Sequence, residues 1–505
     1  DNDNTTALGG LISATLDLEK WDETRTYIDR LRELDYDAAA IANWEAHLCQ
    51  KKGNYLEART WARKAVDLAP DDKIYLNNLG VNAQDAGYME EAIVALERVL
   101  QTNPDDGSAQ NNLGTIYMEL GDFARSRQYF EAILAHNPDD TFALSNMGVC
   151  LSRENRPQDA LPFFEKLHAL PHRIARAPAH YAKALLALGN FAQGWPMNEA
   201  RWHAPTMTQA RRLFEQPMWD GGSLKGKRLL VHSEQGYGDC LQFSRFIQRL
   251  ALLPEGSRAD EVLFETHPHT ARLFGQSFKN VTIFDRQDTY PKAPQGVDFD
   301  VHAPMMSLPM IFGTELATVP CDIPYLQAIG RDIKKFCAEL PKNNGEKRVG
   351  LVWAGAKREF SAAQIALDAR RSLRLQDMAT IIENHGNLQW ISLQKDVPEH
   401  DKDVLTKITA LHDPMPLVND FADTAAIIAN LDLIISVDTA PCHLAAAMGK
   451  PVWMLNRYDL CWRWLVGRDD TPWYPTMRLF RQTANNHWPE LLRDLDAALD
   501  EYAKH

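Results

Sequence analysis

Small, apolar and polar residues recur with a period of 34 in the first part of the chain. Pro70, Pro104 and Pro138 are spaced by that period, and each is followed by Asp-Asp. Small or apolar residues follow at fixed offsets, as in Gly80, Gly114 and Gly148, in Ala92, Ser126 and Ala160, and in Leu96, Phe130 and Phe164. Small residues let two helices approach closely and proline ends the second, so the pattern predicts stacked helix pairs. We expect five or six units over residues 1–203, with residues 21–31 as a second helix that lacks its first.

A different pattern begins after a connector rich in Trp and Pro, residues 204–225. Short apolar strands alternate with amphipathic helices over residues 226–345 and again over residues 346–485. Such alternation predicts two parallel sheets that bind ligands at the carboxyl ends of their strands. The sequence pattern of residues 486–505 predicts a final helix. We expect this helix to cross back onto the first of these two lobes.

The patterns on both sides of the connector are similar to those of known families. The 34-residue unit resembles the tetratricopeptide repeat. The segments GYGD and DTAPCHLAAAMGKP resemble signatures of heptosyltransferase-like glycosyltransferases of the B-type fold (GT-B). The combination resembles bacterial protein O-glycosyltransferases, including those that modify flagellin, and more loosely O-linked N-acetylglucosamine transferase. The resemblance implies an α superhelical solenoid followed by two Rossmann-like α/β domains facing a cleft, in an enzyme that moves a sugar from a nucleotide donor to Ser or Thr of a protein.

The segment HSEQGYGD carries the candidate catalytic residues. Gly236 and Gly238 permit a tight turn, and Asp239 opens the next helix at the predicted cleft edge. The resemblance to heptosyltransferases implies that Asp239 deprotonates the acceptor hydroxyl, with Glu234 and His232 as alternatives on the same edge. Asp239 could instead simply cap its helix.

The candidate donor site lies mainly in the second lobe. Asp438 and Thr439 end a strand where a helix begins, and His443 falls in its first turn. Backbone N–H groups at such a start favour a phosphate, although His443 could also be a buried core residue. The other expected donor-binding residues are Gly236, Gly238, Trp353, Gly355, Arg371, Gln394 and Lys395. For Arg371 and Lys395, a surface role is the alternative.

Two further patterns have competing interpretations. A group of aromatic residues could either form the floor of a sugar-binding site or pack as a core. These residues are Trp462, Trp464 and Trp473, with Arg463 beside them. Asp298 and Asp300 have the spacing of a metal-binding DxD motif. We predict no metal and no cofactor apart from the donor substrate, because one such triplet arises often by chance. A B-type site can also stabilise a leaving group with a helix dipole and basic residues.

Three asparagines recur with the repeat and are the candidate acceptor-binding residues. Asn78, Asn112 and Asn146 each precede residues that face the partner helix, so their amides should point into the concave groove. A row of amides at one-repeat intervals matches the backbone of an extended peptide, and the resemblance to O-linked N-acetylglucosamine transferase implies the same use. The alternative is that these amides only join adjacent helices.

Composition limits the class of partner. The formal net charge is −14, of which −10 belongs to residues 1–203, so binding to nucleic acid is not expected. The seven scattered cysteines favour a reducing, cytoplasmic location, and no apolar run approaches the ~18 residues of a membrane span. The chain starts at Asp1, which leaves room for a preceding targeting segment.

The expected partners are a protein acceptor, with flagellin as the candidate, and a nucleotide sugar such as CMP-pseudaminic acid, UDP-GlcNAc or ADP-heptose. Two alternatives stay open. One is a lipopolysaccharide or oligosaccharide glycosyltransferase that uses its repeats as a tether. The other is a scaffold whose transferase half has lost activity and only binds.

Overall fold

The computed structural model describes residues 4–171, 177–203, 212–286, 294, 296–342, 344–356 and 368–504. Its contacts divide the chain into two compact units. The first unit comprises residues 1–150, and the second comprises residues 151–357 and 368–505. The predicted arm boundary at residue 203 therefore falls inside the second unit.

Helices occupy the described part of the repeat region. They are α1 (Thr5–Asp17), α2 (Trp21–Glu33), α3 (Ala38–Lys51), α4 (Tyr55–Leu68), α5 (Lys73–Asp85), α6 (Met89–Thr102), α7 (Gly107–Leu120), α8 (Phe123–His136), α9 (Thr141–Arg153), α10 (Pro157–Ala169), α11 (Ala177–Ala187) and α12 (Phe191–Asn198). A 3-10 turn, Glu199–His203, follows. The helical solenoid is confirmed. The prediction of a lone second helix near residue 21 is wrong, because α1 precedes α2 and packs against it.

The regular spacing of the repeat has a local physical cause at each helix start. The second aspartate of each Pro-Asp-Asp triplet is Asp72, Asp106 or Asp140. Its carboxylate accepts bonds of 2.8 to 3.2 Å from backbone N–H groups in the next helix's first turn. These bonds satisfy donors that the helix itself leaves unpaired. The triplet thus ends one helix with proline and starts the next with a cap.

The repeated glycines mark the closest approach of paired helices. A Cβ atom on Gly80 would lie 2.6 Å from Leu96 Cγ, and one on Gly114 would lie 2.5 Å from Phe130 Cε1. Both distances are far shorter than van der Waals contact. The large residue of the second helix therefore fills the space that the glycine of the first leaves empty.

The first lobe contains a four-stranded parallel sheet of order β3-β2-β1-β4. Its strands are β1 (Arg228–His232), β2 (Glu261–Thr266), β3 (Val281–Asp285) and β4 (Val301–Pro304). Its helices are α13 (Tyr237–Phe243), α14 (Arg245–Ala251), α15 (Pro268–Ser277) and the short α16 (Leu308–Ile311). A further helix, α17 (Gly330–Glu339), leads to the second lobe.

The second lobe contains a six-stranded parallel sheet of order β10-β9-β8-β5-β6-β7. Its strands are β5 (Arg348–Val352), β6 (Gln389–Ser392), β7 (Leu411–His412), β8 (Leu433–Val437), β9 (Val452–Asn456) and β10 (Met477–Arg481). Its helices are α18 (Leu375–Asn384), α19 (Glu399–Lys407), α20 (Phe421–Ala429), α21 (Ala440–Ala447) and α22 (Pro489–Tyr502). The predicted pair of parallel α/β lobes is confirmed.

The final helix does not cross to the first lobe as predicted. Leu491, Leu495 and Leu499 of α22 are buried in a core shared with strands β5 and β8 of the second lobe. Asp496 also accepts a bond of 2.9 Å from the ring of His385. The apolar face of α22 is therefore buried within the second lobe.

The last helix pair of the repeat region shares a core with the lobes. Phe191 and Trp195 of α12 are buried in one cluster with residues of both sheets. The Trp195 ring meets Trp462 at 5.4 Å between centroids and Phe243 at 6.3 Å. The end of the repeat region is therefore part of the same folded unit as the candidate site.

Candidate active site

Two helix starts from opposite lobes meet at the carboxyl edges of the sheets. Helix α13 follows β1 in the first lobe, and α21 follows β8 in the second, and these two helices pack together. A Cβ atom on Gly238 would lie 3.1 Å from His443 Cδ2, so only glycine leaves ordinary room at this approach. The segments that the sequence analysis selected are thus brought together.

Asp239 lies in the first turn of α13 and forms an ion pair across the two lobes. Its carboxylate accepts a hydrogen bond from the Arg463 guanidinium of the second lobe. Arg463 Nε also donates to Gln242 Oε1 at 2.9 Å, and the guanidinium lies 4.5 Å from the Trp462 ring centroid. The cap position of α13 is occupied by Gly236, which makes no side-chain capping bond. The side chain paired with Asp239 is therefore a cation of the other lobe.

The start of α21 contains a buried hydrogen-bond network. Asp438 accepts a bond of 3.1 Å from Trp464 Nε1, and its other oxygen lies 3.6 Å from His443 Nε2. His443 Nδ1 lies 3.0 Å from the Tyr474 hydroxyl, and its ring stacks on Trp464 at 5.3 Å. Burial opposes ionisation of Asp438, but the bond and charge of His443 hold its pKa well below the ordinary value. Both ring nitrogens of His443 thus have protein partners, while its carbon edge faces α13.

Thr439 occupies the cap position of α21 without capping it. Its hydroxyl donates instead to the Val437 carbonyl at 3.2 Å and lies 3.1 Å from the Ser436 hydroxyl. The side chain therefore does not occupy the N–H groups of the helix start. That arrangement favours an anionic ligand at this position.

A cavity of about 370 Å³ opens beside the two helix starts. Tyr237 and His269 line it from the first lobe. The second lobe contributes Ala354, Gln394, Lys395, Asp420, Thr424, Thr439 and Ala440, among others. The Tyr237 ring meets Phe421 at 5.1 Å across the lobes. The cavity has the dimensions of a small-molecule site and reaches the start of α21.

Some expected donor residues also bond to the backbone around the cavity. Gln394 accepts from the Ala354 N–H at 3.0 Å and donates to the Ala354 carbonyl at 2.9 Å. Lys395 Nζ donates to the Met415 carbonyl at 3.1 Å. These bonds shape the cavity wall. Donor contact by Gln394 and Lys395 stays a prediction.

The predicted contact of Trp353 with the donor is not supported, because its ring lies in the core. The side chain is fully buried in the core of the second lobe, and its indole N–H donates to Asp401 at 2.8 Å. A buried ring offers no face to a nucleobase. Trp353 directly follows β5 and is buried in the same way as the residues of that strand.

Arg371 and Gly355 pack together beside the candidate phosphate position. A Cβ atom on Gly355 would lie 2.4 Å from Arg371 Nε, so the guanidinium lies directly against the glycine. One nitrogen of Arg371 is 3.4 Å from the Asp438 carbonyl, and another is 2.7 Å from Asp368. Arg371 therefore lies next to the start of α21. Its contact with a donor stays a prediction.

Glu234 and His232 lie below the cleft surface rather than in it. The Glu234 carboxylate accepts from Arg201 at 3.0 Å and from the Met306 N–H at 3.1 Å. Burial raises the pKa of Glu234, although the charge of Arg201 opposes the rise. His232 is buried against His302, and burial lowers its pKa. Both side chains are buried, His232 at 1% and Glu234 at 6% exposure, so the catalytic alternative to Asp239 is not supported for either residue.

The tryptophan-rich segment packs as an aromatic core. Trp464 and Trp473 are fully buried, and Trp462 is 7% exposed. They are joined by Trp195 of α12, which lies 6.2 Å from Trp473. The interpretation as a sugar-site floor is wrong for these three rings.

The two aspartates with the spacing of a DxD motif lie in the first lobe. Asp298 is exposed, and Asp300 accepts a bond of 2.7 Å from the Arg228 backbone N–H.

The repeated asparagines are partly buried and take part in links between adjacent repeats. Asn78 Nδ2 donates to Asn43 Oδ1 at 2.7 Å, and Asn146 Nδ2 donates to Asn111 Oδ1 at 2.8 Å. Asn112 occupies the equivalent position between them. The alternative that these amides join helices therefore has direct support at two positions. Acceptor binding by the partly exposed row stays a prediction.

Sequence reasoning missed two arginines that connect the lobes. In the sequence, Arg463 stands out only as a neighbour of the tryptophans, and Arg272 of α15 belongs to no recognisable motif. Arg272 donates to Asp420 at 2.6 Å and to Asp332 at 2.7 Å, and it also contacts Asp423. Its partners lie up to 151 residues away in the chain. No local spacing could have indicated these contacts.

The chain thus consists of a helical repeat region followed by two parallel α/β lobes whose helix starts meet at their edges. Residues 378–458 match the model of glycosyltransferase family 9 (heptosyltransferase). Residues 11–73 and 83–146 match models of the tetratricopeptide repeat. The chain therefore joins tetratricopeptide repeats to a heptosyltransferase-like glycosyltransferase domain.

Known proteins resemble the chain in part. Protein FlbA of Caulobacter vibrioides is 28% identical over 358 residues, which are 66% of this chain and 56% of FlbA. The chain thus spans little more than half of that relative's length. PilF of Pseudomonas aeruginosa is 18% identical and covers 39% of this chain and 90% of its own, with a TM-score of 0.34. A tetratricopeptide repeat protein of Parabacteroides merdae is 16% identical and covers 39% of this chain and 79% of its own, with a TM-score of 0.33.

Within the described residues, no helix combines the length and the apolar character that crossing a membrane requires.

Proposed function

We propose that this chain is a protein O-glycosyltransferase that moves a sugar from a nucleotide donor to a Ser or Thr hydroxyl. The repeat arm would hold the acceptor protein. The observation that carries the proposal is the meeting of α13 and α21, which puts Asp239 beside a helix start suited to a phosphate. Flagellin is the acceptor to test first, because the chain resembles repeat-containing enzymes that modify it.

The arrangement supports a direct displacement. The acceptor oxygen forms a bond to the anomeric carbon while the bond from that carbon to the donor phosphate breaks. The electron pair of the broken bond leaves with the nucleotide, and the hydroxyl proton passes to Asp239. The N–H groups at the start of α21, with Arg371 beside them, stabilise the negative charge of the departing phosphate.

A donor panel tests the proposal directly. The full chain would be incubated with CMP-pseudaminic acid, UDP-GlcNAc, ADP-heptose and a GDP-sugar, in each case with flagellin, with a lipopolysaccharide acceptor, and with neither. We expect one donor to be consumed faster when flagellin is present, with the sugar recovered on the protein. Consumption only with a lipopolysaccharide acceptor would support the tethered alternative. Failure to bind or consume any nucleotide sugar would leave only the scaffold alternative.

The asparagine row gives a prediction with a matched control. Changing Asn78, Asn112 and Asn146 together to Ala should weaken acceptor binding by about ten-fold or more, because amide hydrogen bonds to an extended backbone are lost. Donor hydrolysis should be unchanged. Acceptor affinity would be measured by titration of the protein acceptor onto each variant.

The control removes the helix-joining bonds without removing the row. Asn43→Ala with Asn111→Ala deletes the two acceptor oxygens and costs about 1 kcal/mol of stability per bond. If this pair weakens acceptor binding as much as the triple change does, the row acts only through helix packing. An unchanged affinity in the triple variant would also contradict acceptor binding.

A further inference from the structure

Arg463 lies between the candidate base, Asp239, and the candidate phosphate position at the start of α21. It stands on the 3-10 turn Trp462–Trp464, which is fixed by buried tryptophans on both sides of it. The guanidinium crosses to α13 of the first lobe and pairs with Asp239 and Gln242. The next residue, Trp464, bonds to Asp438 at the end of β8. A single short turn thus connects the candidate base with the candidate phosphate position.

The ion pair is incompatible with the proposed role of Asp239 unless it can be broken. The Asp239 oxygen that accepts the hydrogen bond from Arg463 is occupied by that bond, so it is less available to an acceptor hydroxyl. Removing the partner without replacement would leave a desolvated charge on Arg463, which is costly. An incoming anion solves both problems, because it gives Arg463 a new partner at the moment when Asp239 becomes free.

The surroundings of Arg463 favour such an exchange. Its side chain keeps 16% of its surface exposed and that of Asp239 keeps 20%, so a ligand in the cleft can reach both. Other cations lie nearby on α11 and after β9, namely Lys183 and Arg457. Lys183 is exposed but crowded by protein atoms, and this desolvation, with the charges of Arg463 and Arg457, lowers its pKa. A donor phosphate therefore enters a region in which Arg463 has two further basic neighbours, of which Arg457 is already paired with Asp459 at 2.8 Å.

We propose that Arg463 is a ligand of the donor phosphate that is held on Asp239 until a nucleotide binds, so that donor binding releases the base. This inference rests on the proposed function. The chemistry that Arg463 recognises is a nucleoside phosphate or diphosphate. Its planar fork suits two phosphate oxygens as well as a carboxylate. The acceptor hydroxyl then meets a free carboxylate only in the donor-bound enzyme.

A double-mutant cycle on nucleotide binding tests the exchange. The probes are CMP, CDP, UDP, ADP and GDP, titrated calorimetrically onto the full chain and onto Arg463→Gln, Asp239→Asn and the double variant. Arg463→Gln should weaken binding by about ten- to a hundred-fold, since a charge-assisted bond is lost. Asp239→Asn should strengthen binding several-fold, because the nucleotide no longer competes with the carboxylate. In the Arg463→Gln background, Asp239→Asn should have almost no effect.

Each outcome of the cycle is decisive. If Asp239→Asn strengthens binding equally in both backgrounds, the gain comes from reduced repulsion and the exchange is refuted. If Arg463→Gln folds poorly by thermal unfolding, the single Asp239→Asn variant still decides, because unchanged or weaker affinity there overturns the proposal. The exposed pair of Arg468 and Asp470 supplies the matched control, and Asp470→Asn should leave affinity unchanged.

The result also separates this inference from the proposed function. Nucleotides that bind the unaltered chain but ignore both substitutions would overturn the role of Arg463 while leaving a nucleotide-dependent enzyme. If no nucleotide in the panel binds the unaltered chain, both the proposed function and the exchange fail.

Discussion

Replacing Asp239 with asparagine is expected to lower the rate of sugar transfer by about a hundred- to ten-thousand-fold. The amide keeps the size of the side chain but cannot take the hydroxyl proton. It also removes the charge that pairs with Arg463, so nucleotide affinity should not fall with the rate. The measurement is the initial rate of sugar incorporation into the protein acceptor at saturating donor.

The control for this prediction is Asp470→Asn, which removes a carboxylate from an exposed ion pair on the surface of the same unit. It should transfer sugar at the unaltered rate. An Asp239→Asn enzyme that keeps more than about a tenth of the rate would exclude this carboxylate as the base, and the search would move to water or to the acceptor itself.

Replacing Arg272 with alanine is expected to lower the free energy of unfolding of the second unit by about 1–3 kcal/mol. The change leaves Asp332, Asp420 and Asp423 facing one another without their shared cation. Breaking a fully buried ion pair would cost about 3–5 kcal/mol. We expect a smaller loss here because the Arg272 side chain is 40% exposed and solvent screens its charge. The loss should be measured by denaturant unfolding. Because Asp420 lines the cavity, donor affinity should weaken as well.

The pH dependence of this loss has a definite sign. Burial of Asp420 is outweighed by Arg272 and by the N–H groups at the start of α20, which keep its pKa below the ordinary 3.8. A lowered pKa in the folded state stabilises the fold above the ordinary pKa, and that stabilisation disappears as the pH falls through the folded-state pKa. The difference between the unaltered chain and Arg272→Ala should therefore be full near pH 7 and shrink below about pH 4.

Arg272→Lys provides the conservative control. It keeps the charge but loses the planar fork that contacts carboxylates on two helices, so it should recover only part of the stability. An Arg272→Ala chain that unfolds with the same free energy at pH 7 as the unaltered chain would show that the three carboxylates are accommodated by solvent.

The parts of the structure that sequence could predict are those set by local rules. The Pro-Asp-Asp spacing predicts helix boundaries because the proline and the capping aspartate act on their own neighbours. Gly80 and Gly114 mark close approaches within one repeat. Apolar runs predicted β1, β5 and β8 because buried parallel strands are apolar along their whole length. Strand β10 was missed, since it lies inside a segment whose tryptophans dominated the pattern.

The site could be predicted only as far as the strand ends. Asp239 and Asp438 both follow the carboxyl end of a strand, which is where parallel sheets bind ligands. Whether a neighbouring residue faces the cleft or the core depends on strand twist and on contacts far away in the chain. Glu234 turns inward to Arg201, and Trp353 turns inward to Asp401. The partner of Asp239 lies 224 residues further along, beyond the reach of any spacing rule.

The core shared by α12 and the two lobes has a consequence for how this architecture can vary over evolutionary time. Repeat arrays change length readily, because each unit contacts only its neighbours. The last helix pair has lost that freedom, since removing Trp195 would expose the aromatic core around Trp462 and Trp473. Related chains should therefore gain or lose repeats upstream of α11, and a graft that exchanges one repeat array for another should retain α11 and α12 with the enzyme.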